Sequence, residues 1–160
     1  MLIRDARAGD LPQVGALWNA MIAGTLATFT SQPKTDADLV ALLAQRPGAF
    51  LVAEVDGGVA GFITWGPFRA GSGYRHTAEH TIITARPGTG IGRALIDAAT
   101  LRATDQGIHV LVAAISSANP AAVAFHSRLG FAKTGHLPQV GRKNDQWLDL
   151  ILMTRALAPR

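Results

Sequence analysis

The chain has 160 residues, 48% hydrophobic and 16% charged, enough for one packed core and too few for two comfortable domains. Lys and Arg outnumber Asp and Glu 15 to 11, and the resulting +4 is scattered, with no basic stripe of the kind nucleic acid requires. Cys is absent, which excludes disulfides, thiol nucleophiles and Cys-based zinc sites and fits a reducing, cytoplasmic setting.

The charged opening MLIRDARAGD leaves no room for a signal peptide, and no apolar run reaches the roughly 18 residues of a membrane span, so no membrane partner is expected. LIRDAR reads as a first strand. Asp10 offers an N-cap to a helix over 11–23, where Leu11, Val14, Leu17, Trp18, Met21 and Ile22 recur at helical spacing. A second helix is predicted from Thr35, with Asp38 completing a capping box and Leu39, Leu42 and Leu43 turned inward. FLVAEVDGGVAGFITWG reads as two strands joined in a hairpin at Asp56, Gly57 and Gly58, and RHTAEHTIIT as another strand. After a glycine-rich stretch, Ile91, Ala94, Leu95, Ala98 and Leu101 mark one face of a helix that stops near Gly107. IHVLVAAI, unbroken and apolar, is predicted as a central buried strand. NPAAVAFHSRLG is a short helix with Asn119 as cap, Pro120 at its first position and Gly130 as its stop. FAKTGHL and QWLDLILMTRAL close the chain as strands. The order β-α-α-β-β-β-α-β-α-β-β describes a single α/β (α+β) domain over 1–160, built on one mixed central sheet flanked by helices.

The glycine-rich stretch, ARPGTGIGRA, carries the first chemical signal. A nucleoside-triphosphate loop needs a Lys and a hydroxyl after its last glycine, and here Arg93 and Ala94 follow Gly92. A dinucleotide fingerprint needs G-x-G-x-x-G and an acidic residue ending the next strand; the sequence has G-x-G-x-G and a strand that ends at Ile115 and Ser116. A ligand-free tight turn is the plain alternative, at the entropic cost of three closely spaced glycines. The remaining reading is a pyrophosphate cradle in which residues 88–93 supply N–H groups and Arg93 supplies charge.

GTGIGRALI before a helix, then a buried strand, then NPAAVAFHSRLGF, is similar to the acetyl-CoA-binding half of the GNAT superfamily of N-acetyltransferases. GPFRAGSGYRHTAEHTI, IHVLVAAI and PQVGRKNDQWLDLILM resemble, more narrowly, the branch that acetylates phosphinothricin, methionine sulfone and methionine sulfoximine. The resemblance runs from IRDARAGDLP to LDLILM, and departs from the family at Pro87, where relatives carry Gln or Arg. It implies a GNAT-like domain with a mostly antiparallel sheet, acetyl-CoA as cosubstrate, a small-molecule amine as acceptor and a homodimer.

The resemblance also implies roles. Gly88, Thr89, Gly90, Ile91, Gly92 and Arg93 would hold the coenzyme's diphosphate, the backbone of Ile82, Ile83 and Thr84 would pair with its pantetheine arm, and Asn119 would bond that arm. Glu79, on a strand built for burial, is the candidate general base, directly or through a water; an exposed or Arg-paired Glu is the alternative. His126 is the candidate acid beside the sulfur, against a His merely satisfied at a helix interface. Arg69 and Arg75 offer guanidinium forks for the acceptor's acidic group; Phe29, His80 and Thr81 would line its pocket together with Glu79. His76, Glu79 and His80 form H-x-x-E-H on a strand, which lacks the helical spacing that gathers metal ligands, so no metal is expected. Two alternatives stay open: another amine, such as a peptide N-terminus or an aminoglycoside, and a non-catalytic acyl-CoA sensor.

Overall fold

The computed structural model describes residues 1–157; the last three residues of the expected 1–160 domain lie outside it. Its elements are β1 (Leu2–Asp5), α1 (Leu11–Gly24), α2 (Asp36–Gln45), β2 (Phe50–Val55), β3 (Gly58–Pro67), β4 (Thr77–Thr84), α3 (Ile91–Asp105), β5 (Val110–Ser116), α4 (Pro120–Arg128), β6 (Ala132–Lys143) and β7 (Gln146–Ala156), with short 3₁₀ turns at Ala8–Asp10 and Ser72–Tyr74. The strands form one sheet in the order β1-β2-β3-β4-β5-β7-β6. All neighbours are antiparallel except β4 and β5, which run parallel because α3 carries the chain from one to the other.

Local chemistry accounts for most boundaries. Asp56 and Gly57 take positive φ of 51° and 78°, the two-residue geometry that matches strand twist in a hairpin. Thr35 and Asp38 cap α2 reciprocally, each side chain accepting from the other's backbone N–H. Asn119 accepts from Ala122 N at the start of α4.

Two expectations are corrected. Asp10 makes no side-chain cap to α1; its carboxylate accepts from Arg7 N and from both Nη atoms of Arg4, a charged partner stronger than a free amide. Leu101 is 54% exposed, because α3 turns about 100° per residue and the buried face runs through Ile91, Leu95, Ile96, Ala99 and Ala103.

Helices cover both sheet faces. On one, Leu95, Ile96 and Ala99 of α3 bury Ile63, Leu111, Ala113 and Met153; on the other, Val14, Trp18 and Ile22 of α1 and Leu39 of α2 bury Phe50, Val52 and Phe62. Each large side chain so buried contributes about 1.5–3 kcal/mol. Alternation along β4 sends Ala78 and Ile82 to the α3 side and Ile83 to the α1 side. His80 and Thr84 therefore share the α3 side, while Glu79 and Thr81 share the α1 side.

The sheet has one break. β4 and β5 pair from Thr77↔Val110 to His80↔Ala113 and no further. Beyond that point residues 81–84 stay bonded to β3 and residues 114–116 to β7, so the two strands part with their facing edges unpaired. Ala85 N donates to Ala60 O at 2.8 Å, which fixes the phase of the ladder: Ile83 spends its backbone groups on β3, whereas Ile82 and Thr84 aim theirs into the gap.

Candidate active site

A cleft of about 810 Å³ opens where β4 and β5 part. Its α1 side is lined by Trp18, Met21, Thr28 and Lys34 with Glu79 and Thr81. Its other side holds His80, Ile82, Thr84, the glycine turn, Asn119, Phe125 and His126.

The turn is shaped by its glycines for two different reasons. Gly88 and Gly90 have φ of 81° and 83°, which side chains rarely tolerate, although a Cβ on either would meet nothing within 4 Å. Gly92 is needed for space, since a Cβ there would lie 3.0 Å from the Phe125 ring. Gly90 ends the turn without a side-chain cap, and the first bond of α3 runs from Ala94 N to Gly90 O. The N–H groups of Ile91, Gly92 and Arg93 precede that bond and face outward at the positive end of the helix dipole. Arg86 and Arg93, which flank the turn, and Arg128 at the end of α4 also line the cleft. Donors, dipole and guanidinium groups converge there as a diphosphate requires, and the free edge of β4 leads from it toward Glu79 and His80 as an amide-bearing arm requires. The site fits acetyl-CoA.

Glu79 is half-buried, and burial raises its pKa above the usual carboxylate range; the Arg46 charge pulls partly the other way. Arg46 reaches this spot because Gly66, the cross-strand partner of Glu79, leaves its face of β3 bare. The guanidinium lies against Gly66, where a Cβ would sit 2.9 Å from Cζ, and donates from Nη1 to Thr64 Oγ1 at 3.2 Å.

His80 and His126 meet across the β4–α4 interface with their Nε2 atoms 3.0 Å apart, and Nδ1 of His126 lies 2.8 Å from Ala122 O. A carbonyl can only accept, so His126 carries its proton on Nδ1 and, when neutral, accepts on Nε2. His80 then donates from Nε2, leaving its buried Nδ1 as a bare lone pair without a hydrogen-bond partner. Burial pushes His80 down to about 3, with the His126 charge adding to the effect; burial also lowers His126. Both rings are neutral at pH 7.

Of the residues singled out from sequence, Glu79, His80, Thr81, Ile82, Thr84, Gly88, Gly90, Gly92, Arg93, Asn119 and His126 come together on the cleft. Six others do not line it with their side chains. The Ile83 side chain joins the α1-side core, Ile91 is buried in the α3-side core, and Thr89 donates its hydroxyl to Arg86 O at 2.8 Å. Phe29 packs on Gly141 of β6. Arg69 is exposed with its guanidinium 5.6 Å from the Phe68 ring centroid, and Arg75 is exposed with Nε donating to His76 Nε2 at 2.9 Å. Sequence reasoning missed Arg46 and Lys34. Arg46 gives no local signal, and Lys34 gives only its place just before the Thr35 cap. Among the described residues, no group of three His, Asp or Glu is clustered as a metal would require.

The sequence model of the Acetyltransferase (GNAT) family matches residues 18–131. The L-methionine sulfoximine/L-methionine sulfone acetyltransferase of Pseudomonas aeruginosa is 39% identical over 163 aligned positions, covering 98% of this chain and 95% of that one. The phosphinothricin N-acetyltransferase of Alcaligenes faecalis is 32% identical, covering 97% and 82%. An acetyltransferase from Salmonella typhimurium, solved with its cofactor acetyl-CoA, superposes with a TM-score of 0.94 at 34% identity over 100% of this chain and 95% of that one.

Proposed function

Because the chain belongs to the acetyltransferase (GNAT) family, we propose that it acetylates the α-amine of a small amino acid analogue of the methionine sulfone, methionine sulfoximine or phosphinothricin kind. Membership makes it an acyltransferase that uses acetyl-CoA, in place of the non-catalytic sensor. The observation that carries the acceptor reading is that Glu79 and the free edge of β4 open into one cleft.

The bound thioester supplies an activated acyl carbon. The rest is done by the chain. The N–H groups at 91–93 and the guanidinium groups of Arg86 and Arg93 would hold the diphosphate, and the backbone groups of Ile82 and Thr84 would hold the pantetheine arm. Glu79, with its raised pKa, takes one proton from the acceptor's ammonium, directly or through one water, so that nitrogen can attack. The second N–H proton ends on the sulfur. His126 is the candidate donor, and to serve the sulfur its Nε2 must exchange the bond it makes with His80.

Mixing the protein with acetyl-CoA and methionine sulfone, methionine sulfoximine or phosphinothricin should release free CoA and yield the N-acetyl product by mass spectrometry. Silence with all three, but turnover with a peptide N-terminus or an aminoglycoside, would move the acceptor to that class.

A further inference from the structure

Arg69 and Arg75 lie off the cleft, which leaves the acceptor half with a different cation. Lys34 is partly buried at the end of the loop that joins α1 to α2 and lines the cleft beside Trp18, on the sheet face that carries Glu79. Its position is built. Asn19 of α1 grips its backbone twice, Nδ2 donating to Lys34 O at 3.0 Å and Oδ1 accepting from Lys34 N at 2.7 Å. Its ammonium stands 5.2 Å from the centroid of the Trp18 ring, an apolar face that holds a cation without neutralising it. No salt bridge to Lys34 exists among the described residues. Asp38, whose carboxyl feels the Lys34 charge, is engaged in capping α2 through Thr35 N. Arg86 and Arg93 flank the glycine turn, and Arg128 belongs to α4, which packs on the α3 side of the sheet. A cation held in place, unbridged and on the same side as the base is what an amine that also bears a carboxylate needs.

We propose that Lys34 is the specificity-determining residue for the acceptor, its ammonium receiving the α-carboxylate while the neighbouring amine faces Glu79. The assignment rests on the amino acid reading of the acceptor given above. It explains how the cleft tells an amino acid from a simple amine, since only the former supplies a charge that replaces the water lost by Nζ.

The test compares L-methionine sulfone with its carboxamide, which keeps the amine and sulfone and loses the negative charge. The wild-type protein should prefer the acid at least tenfold in kcat/KM. Lys34→Met should raise the KM for the acid at least tenfold, erase the preference and leave the KM for acetyl-CoA unchanged; Lys34→Arg should restore part of the preference. Because Asn19 grips only main-chain atoms of residue 34, neither variant removes the clamp. An unchanged acid-to-amide ratio in Lys34→Met, with turnover intact, overturns this assignment alone. No CoA release from either compound by the wild-type protein overturns the amino acid reading and the assignment with it.

Discussion

His80 and His126 share one proton between Nε2 atoms 3.0 Å apart, and the Ala122 carbonyl dictates which ring donates it. Two neutral imidazoles buried at a strand–helix contact link acidity to stability. In the unfolded chain each ring titrates near 6.5; in the folded chain His80 is pushed to about 3 and His126 is lowered as well.

Below pH 6.5 the unfolded chain therefore takes up protons that the folded chain refuses, and stability falls as pH drops. Glu79, with its raised pKa, acts in the opposite sense, so the comparison of variants is what counts. The denaturant midpoint should decline from pH 7 to pH 5 in the wild-type protein and decline less in His80→Leu. Parallel slopes would remove the pair as the cause.

Glu79→Gln should lower kcat/KM on the order of 10²-fold and abolish the acid limb of the pH–rate profile. An acid limb that persists in the variant belongs to another group.

Arg46→Met gives the complementary result. The Arg46 charge holds the Glu79 pKa below where burial alone would put it, so its loss should move the acid limb to higher pH. A limb that stays in place would mean that Arg46 and Glu79 are screened from each other during turnover.

Gly90→Ala should cost about 1 kcal/mol through its positive φ and weaken acetyl-CoA by calorimetry, with the acceptor KM unaltered. Equal losses toward both substrates would separate the turn from coenzyme binding.

Lys143, 5% exposed, sends Nζ to the carbonyls of Ile22, Thr25 and Thr28 at 2.6, 2.9 and 3.3 Å, pinning the loop after α1 to the β6–β7 pair. Lys143→Met leaves those carbonyls without their donor and should destabilise the protein by about 2 kcal/mol. Thr28 lines the cleft, so the acceptor KM should rise as well. A variant as stable as wild type would show that water replaces the ammonium.

The elements were legible where local chemistry sets them. The turn at Asp56 and Gly57, the Thr35–Asp38 box and the Asn119 cap each involve residues at most three apart, and all three form as read. The glycine turn was legible for the same reason. The charged surroundings of Glu79 were not. Arg46 reaches it only because β2, β3 and β4 lie in a particular register and Gly66 carries no side chain, a condition spread over three strands. Motif context singles out Arg69 and Arg75, both off the cleft, and says nothing about the Asn19 clamp that brings Lys34 back onto α1 beside it. Leu101 failed for a simpler reason: a spacing of three or four, followed long enough, drifts around a helix of 3.6 residues per turn.

Since β4 and β5 separate past His80 and Ala113, side chains from both faces of the sheet line one cleft. Under the proposed reading the acyl donor and the acceptor take different faces, so that neither would have to depart before the other arrives. On that reading, change in the 25–34 segment during evolution would retarget the enzyme to a new nucleophile while a grip on the acyl donor made largely of main chain is inherited intact.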